Sequence, residues 1–574
     1  MPWKIEEQLK GFSLLKQSLL SKEKDIAEKN RGFFGRKQKF IVFLSVSDGS
    51  TRASVYSASA NTLEAGIKMV QQLCSKNLKS SERLIVRLEA VISPEPMTLE
   101  EFFTLSTKTK KNYLRKGISF DEQFNLAFME QEVLSNAFIL KSTKKTQDVL
   151  SLKNINTYAK AHRGFQYPIL ESHIKQVILF NTIGFFCENG SVEELECGGL
   201  NHGRRKLPEA DADTVFRVIE SSSRFLAGEV KENGAFTYGY FTHFYKEIKW
   251  YNMLRHASTI YSMIEAYTLT KSADLKNSID RAVEFLIDQG IVLKSHRTYG
   301  TAAYVVDEKN DNEIKLGANG VALLALCKYT SVFEDTSYMH VMKALGRGIQ
   351  SMQETDGRFV HILYAQDLQV KEAFRIIYYD GEAAFALMRL YELDREESWL
   401  RTVVRTFEYF IEHEYWKHHD HWLSYCTNEL TKYLPEDKYF QFGLKNVERK
   451  LEFIYHRETT YPTFLELLMA AHHMIGVMKQ QGKDYLLEGF PTERVYETIE
   501  KRALYQLNGY FFPETAMHMK YPSKIEGAFF IRHHSFRTRI DDIEHYLSGY
   551  CHYYMEYLGE ESPAGKQKEM TLND

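Results

Sequence analysis

The sequence predicts a multidomain protein in which an N-terminal α+β domain is followed by an all-α (α/α)6 toroid. Three observations carry this. The chain has 574 residues, more than one hydrophobic core usually organises. Strand and helix patterns alternate before about residue 145, whereas beyond about residue 210 apolar residues recur at three- and four-residue spacing almost without interruption. The helical segments also fall into pairs that share a common grammar.

Composition narrows the function classes. There are 73 Lys+Arg and 76 Asp+Glu, a net charge of −3, which lacks the basic excess of a dedicated nucleic-acid binder. The six cysteines (Cys74, Cys187, Cys197, Cys327, Cys426 and Cys551) are scattered without a C-x-x-C pair, which argues against a disulfide scaffold and suits a reducing compartment. The opening MPWKIEEQLKGF has no basic-then-apolar leader pattern, and no apolar run approaches the ~18 residues of a membrane span. A cytoplasmic protein with no nucleic-acid partner and no membrane span is expected. Aromatics reach 13%, and tyrosines cluster beside acids and histidines in the second half, as in clefts that hold sugars.

In chain order, Ile5–Ala27 reads as an amphipathic helix. Lys39–Asp48 and Thr51–Ala60 read as strands around an Asp48-Gly49-Ser50 turn, and Asn61–Ser75 has helical spacing. Arg83–Ile92 is the clearest strand, ended by Pro94-Glu95-Pro96; helices at Leu99–Leu105 and Asp121–Ser135 complete a domain over 1–145. Residues 146–208 read as a linker region with a hairpin, because Asn189-Gly190 separates apolar runs within Val177–Leu195. Arg204-Arg205-Lys206 and Pro208 mark its end.

Twelve helices are expected over 209–560, at about 211–229, 251–269, 274–290, 317–331, 336–353, 379–393, 396–413, 420–433, 438–456, 461–480, 491–508 and 539–557, with a flexible tail at 561–574. Several linkers within pairs carry glycine-aromatic turns, such as Asn233-Gly234-Ala235-Phe236 and Asn508-Gly509-Tyr510-Phe511. Most even-numbered helices open on dense polar-aromatic clusters, while the fourth opens on the small-residue string Leu316-Gly317-Ala318-Asn319-Gly320. Odd-numbered helices open on plain surface sequence. Special chemistry at one end of alternate helices is what a closed ring produces, with the even helices inside; an open solenoid gives pairs but not this asymmetry.

Two resemblances follow. Arg83–Met97, with Leu114-Arg115-Lys116-Gly117 and Ala127–Val133, resembles an AMMECR-type domain. The paired-helix region resembles the six-hairpin glycosidase superfamily, and within it the N-acylglucosamine 2-epimerase-like proteins. That resemblance implies a barrel whose mouth binds carbohydrate, with acids or histidines moving protons.

The candidate residues lie in four clusters. In Arg539-Ile540-Asp541-Asp542-Ile543-Glu544-His545, Asp541 and His545 are four apart on one helix face, so Asp541 or Asp542 serves as base or clamp with Arg539 and His545 in support. In Tyr378-Tyr379-Asp380-Gly381-Glu382, Asp380 reads as a helix N-cap and Glu382 as proton donor, with Tyr379 at the substrate. Tyr251-Asn252-Met253-Leu254-Arg255-His256 supplies Tyr251 and Arg255 for binding and His256 for chemistry. In His418-His419-Asp420-His421-Trp422, Asp420 reads as an acid and Trp422 as a stacking platform; adjacent residues do not easily share one ion, and no i, i+4 histidine pair exists, so no metal is expected.

No phosphate-binding loop, dinucleotide fingerprint or nucleophile elbow is present, and no cofactor is expected. The expected function is a carbohydrate-active enzyme, glycoside hydrolase-like, acting on a saccharide chain or sugar derivative. Two carboxylates from Glu382, Asp420 and Asp541 on opposing inner helices would serve as acid and base. The alternatives are a sugar epimerase using His256 and His545, or a catalytically silent sugar-binding toroid.

Overall fold

The computed structural model describes residues 2–35, 38–75, 83–142, 147–308 and 310–559; the expected tail at 561–574 lies outside them. The chain divides into two compact units. Unit 1 comprises Met1–Pro208, Tyr240–Glu247 and Asn508–Thr538, and unit 2 comprises Glu209–Gly239, Ile248–Leu507 and Arg539–Asp574.

Unit 1 is built on an antiparallel sheet of β1 (Phe40–Ser47), β2 (Ser54–Ala60), β3 (Ile85–Thr98), β4 (Gly117–Ser119), β5 (Ala127–Phe128), β6 (Gln176–Glu188) and β7 (Ser191–Glu194). The order is β2-β1-β3-β6-β4-β5, with β7 on β6. The alternate residues Val42, Leu44, Leu88 and Ala90 bury one face against Leu15, Leu19 and Ile26 and against Leu63, Ile67 and Val70, all on helices.

Four expectations are corrected here. Residues 146–208 are not a linker, because β6 lies inside the sheet between β3 and β4. β3 runs through Pro94-Glu95-Pro96 to Thr98: the register shifts between Ile92 and Glu95, and a bulge accommodates prolines that would otherwise break the ladder. No helix starts at Asp121, whose carboxylate instead accepts the backbone N–H groups of Gln123, Asn125 and Leu126 in a turn. Asn508–Thr538 belongs to unit 1, where Glu514 pairs with Arg205 at 2.8 Å and Glu526 with Arg83 at 2.8 Å.

Unit 2 is carried by twelve helices: α1 (Ala212–Glu229), α2 (Met253–Thr270), α3 (Ala273–Phe285), α4 (Leu316–Phe333), α5 (Met339–Gln350), α6 (Tyr378–Asp394), α7 (Glu397–Glu412), α8 (His421–Tyr433), α9 (Asp437–Glu448), α10 (Thr463–Gln480), α11 (Thr492–Gln506) and α12 (Ile540–His552). The segment expected as one helix over 438–456 breaks after Glu448 and resumes at Leu451–Tyr455. α2 packs on α4, α4 on α6, α6 on α8, α8 on α10 and α10 on α12, and α12 returns to α2. The even helices therefore close a ring, and the odd helices pack outside it.

Burial explains which helices are inside. α5 and α7 are apolar along one stripe, whereas every residue of α4 from Leu316 to Cys327 is buried. α4 is the one described helix long and apolar enough to cross a membrane, and it is mostly buried within the protein as part of the ring. Before α4 and α6 the linkers form an antiparallel sheet, β8 (Ile291–His296), β9 (Gly300–Asp307), β10 (Glu313–Lys315), β11 (Ile362–Tyr364) and β12 (Val370–Glu372). Lys315–Asp307 and Arg375–Glu313 ion pairs, at 2.8 and 2.9 Å, tie it to the helix starts.

The α4–α6 seam is set by glycine. A Cβ on Gly320 would lie 2.7 Å from the Glu382 carbonyl carbon and 2.8 Å from the Ala383 nitrogen, both backbone atoms that cannot yield. Gly320→Ala is therefore expected to destabilise unit 2 by about 1–3 kcal/mol through overpacking, although alanine is the better helix former. A urea-melt midpoint equal to or above wild type contradicts this packing.

Candidate active site

The starts of α8, α10 and α12 bring three side chains together. Asp420 caps α8, its carboxylate accepting the N–H groups of Trp422 at 3.1 Å and Leu423 at 3.2 Å. This fixes His421 as the first residue of the helix. His421 is buried, its Nε2 has no hydrogen-bond partner, and that atom lies 3.8 Å from Glu466 Oε2 on α10. His545 on α12 donates from Nδ1 to the same Glu466 oxygen at 3.0 Å and lies 3.5 Å from Glu544. The two imidazole rings meet edge to face, 5.3 Å apart with planes at 82°.

Their protonation states are pushed apart. Burial, aided by the charge on His545, holds His421 well below the ordinary histidine range. Burial also opposes charge on His545, but Glu544 and Glu466 outweigh it and raise the imidazole to about 10. Burial raises Glu466 and Glu544 in turn, with His545 pulling both back. At neutral pH the site holds one neutral imidazole beside one imidazolium.

Around this pair are the other expected residues. Glu382 is buried, with Oε2 lacking a partner, and burial and then the neighbouring Asp420 raise it well above the carboxylate range. Tyr379 packs against Gly317 and against the His361 ring at 5.5 Å. Asp541 accepts from Arg255 Nε at 2.8 Å and Arg539 Nη2 at 3.0 Å, while its Oδ1 is buried without a partner. Asp542 accepts from the same Arg539 Nη2 at 3.2 Å and from its Nε at 3.3 Å. Arg255 also donates to the Tyr238 hydroxyl and sits 5.4 Å over the Trp250 ring, an aromatic that is 41% exposed.

Five residues take other places than expected. His256 is turned away from the ring interior, donating from Nε2 to the Ala282 carbonyl on α3 at 2.8 Å and accepting from the Tyr251 hydroxyl at 2.7 Å. With both nitrogens occupied and Phe236 and Phe285 against its ring, it is a packing residue; burial lowers it to about 4. Tyr251 is spent on that bond and on the Phe236 N–H. Asp420 is a buried cap, not a free acid. Trp422 is 3% exposed and packs on Phe385 and Tyr261 below the histidines, so no ligand can stack on it. Asp380, expected as a cap, is instead inside the first turn of α6 and accepts from His361 Nε2 at 3.0 Å.

His421, Glu466 and Trp250 are the residues that sequence reasoning missed. His421 and Glu466 stand in the first turns of even helices, the same signal that singled out His545. Trp250 adjoins the Tyr251 cluster. His421 Nε2, Glu466 Oε2 and His545 Nδ1 lie within 4.8 Å of one another, a donor set for a divalent ion that spans three helices. Ligation would require stripping the proton from an imidazole held at about 10, so the ion pair competes directly with a metal.

No family model matches the chain, and neither does any curated protein. Solved structures do. A D-mannose isomerase matches at 10% identity and TM-score 0.44, over 61% of this chain and 98% of that one. A cellobiose 2-epimerase from Spirochaeta thermophila matches at 11% and 0.43, over 60% and 96%. A GH76 alpha-mannanase from Bacteroides thetaiotaomicron matches at 11% and 0.40, over 63% and 97%. The neighbours thus include sugar epimerases, an isomerase and mannanases, at identities and scores too low to bear on the reaction. None supports the AMMECR-type resemblance.

The place of His256 has a pH signature. Its folded value of about 4 lies below the ordinary ~6.5, so protonation favours unfolding, and its contribution is present above pH ~6.5 and lost as pH falls towards 4. His256→Phe, which removes the hydrogen bonds to the Tyr251 hydroxyl and the Ala282 carbonyl, is expected to cost about 2–4 kcal/mol at pH 7.5. The difference from wild type should shrink by about 3 kcal/mol on approaching pH 4. Urea titrations showing a pH-independent difference contradict the assignment.

Proposed function

We propose that unit 2 is an (α/α)6 toroid enzyme, a sugar epimerase or isomerase that moves a proton at the carbon beside a carbonyl, with His421 and His545 as the proton-transfer pair. The observation that carries this is the facing pair itself: two imidazoles 5.3 Å apart around one carboxylate, one kept neutral and the other protonated. General acid-base chemistry needs two groups whose environments drive their pKa values apart.

The neutral His421 takes the C–H proton while the His545 imidazolium gives one to the carbonyl oxygen, producing an enediol. For the epimer, the enediol hydroxyl returns its proton to His545, which then protonates the opposite face of the same carbon, and solvent exchange resets the pair; for the isomer, His421 gives its proton to the neighbouring carbon while His545 takes the other enediol hydroxyl proton. Glu466 holds the charge on His545 and fixes its ring. Asp541 Oδ1 and Glu382 Oε2 are unpartnered acceptors for sugar hydroxyls, and the exposed Trp250 face is available for stacking against sugar C–H groups.

A second reading is glycoside hydrolysis, with Glu382 as acid and Asp541 as its ionised partner. It is favoured by the buried, unpartnered and neutral carboxyl of Glu382. With reducing sugars such as D-mannose, D-glucose and cellobiose as substrates, His421→Asn and His545→Asn should each lower turnover by about a hundred- to ten-thousand-fold with sugar binding largely kept. Glu382→Gln should retain most of it. The rate should fall on the basic side near pH 10, as His545 loses its proton, and on the acid side only well below the ordinary histidine range, as His421 gains one. Abolition by Glu382→Gln with active histidine variants transfers the assignment to hydrolysis.

A further inference from the structure

A cavity of about 120 Å³ lies deeper in the same ring, towards the C-terminal ends of the inner helices. All six inner helices contribute to it, from Tyr261 on α2 and Lys328 on α4 to His552 on α12. At 1.5 Å per residue, Glu429 on its wall is about 12 Å along α8 from His421. The two sites share an aromatic wall: Tyr261, Phe385 and Tyr425 line the cavity, Phe385 meets Tyr425 at 5.8 Å, and Tyr425 meets the His421 ring at 6.2 Å. The cavity has its own approach beside Lys432 and His473, whose side chains are 41% and 39% exposed.

Three polar atoms on one wall have no partner. Tyr425 Oη, Asn428 Oδ1 and Glu429 Oε2 are all buried, and each belongs to a residue at least nine-tenths buried. Asn428, which lines the cavity, is oriented by its amide, which donates to the Ala470 carbonyl at 3.0 Å and so leaves Oδ1 without a partner. An unmet buried polar atom costs about 1–3 kcal/mol, and three on one cavity wall point to a hydrogen-bonding occupant.

The charges indicate which occupant. Lys328 pairs with Glu265 at 3.3 Å, Lys432 with Glu429 at 2.7 Å and His552 with Glu556 at 2.8 Å, and Arg389 reaches Glu392 at 2.5 Å and Glu429 at 3.3 Å. Each of the four cations is thus held in an ion pair, and of their carboxylate partners Glu429 and Glu556 line the cavity. What remains unmatched is acceptors needing hydroxyl donors, beside the rings of Phe385, Tyr261 and Tyr425.

We propose that this cavity is a second binding site, for a neutral polyhydroxy molecule the size of a single sugar. Its hydroxyls donate to Asn428 Oδ1 and Glu429 Oε2 and pair with the Tyr425 hydroxyl, while its C–H face lies on the aromatic rings. The site stands independently of the reaction assigned to the histidine pair.

The test is calorimetry and saturation-transfer NMR on the full chain with D-mannose, D-glucose and myo-inositol, using wild type, Trp250→Ala, Asn428→Leu and Tyr425→Phe. At least one probe should bind with an affinity that Trp250→Ala, which removes the exposed ring beside the histidine site, leaves unchanged. Asn428→Leu, which removes the acceptor and fills the space, should weaken that binding tenfold or more. Tyr425→Phe should weaken it several-fold while keeping the ring, and it decides the matter if Asn428→Leu melts early. Absence of binding for all three probes at tens of millimolar overturns the site, as does binding indifferent to both α8 variants. Tighter binding of gluconate or glucose 6-phosphate at the same place overturns its neutral character.

Discussion

One buried carboxylate organises the mouth of the ring. Glu466 has little exposure and faces two imidazoles with one oxygen, 3.0 Å from His545 and 3.8 Å from His421. A buried carboxylate is tolerated only beside a positive partner, and His545 is the partner held protonated for it. The positive charge this creates in turn disfavours a second one on His421. The asymmetry between two chemically identical side chains therefore originates in a single ion pair and its burial.

That pair exists only because the ring closes. His421, Glu466 and His545 come from three helices separated by more than forty residues at each step, and only the approach of α8, α10 and α12 brings their first turns together. Small residues permit the approach elsewhere in the ring: Gly320 admits the α6 backbone, and Gly381 leaves room for Asp420, whose Oδ2 would lie 2.4 Å from a Cβ there. The capping role of Asp420 follows from the same crowding, since a carboxylate with no water can be satisfied by two backbone N–H groups of its own helix.

Much of this architecture was legible in the sequence. Apolar periodicity located the twelve helices of the ring and its outer layer, and the polar openings of even helices marked the end where the candidate residues gather, because helix starts converge there. What was not legible depends on direction and partner. His256 opens an inner helix as His545 does, but a rotation about α2 turns it towards α3, where Ala282 and Tyr251 occupy it. His421 was hidden in a run of histidines, whose adjacency argued only against a shared ion. The return of Asn508–Thr538 to unit 1 was invisible for another reason: it depends on the partners of Glu514 and Glu526, Arg205 and Arg83, more than three hundred residues away in sequence.

The central claim is that protons move at a carbon beside a carbonyl. It is tested most directly by incubating the full chain with reducing aldoses in D2O and following the C2–H signal by proton NMR. The account predicts loss of that signal as deuterium enters from solvent, with every glycosidic bond intact, and no loss with His545→Asn. Cleavage of a glycosidic bond with C2–H fully retained would contradict it.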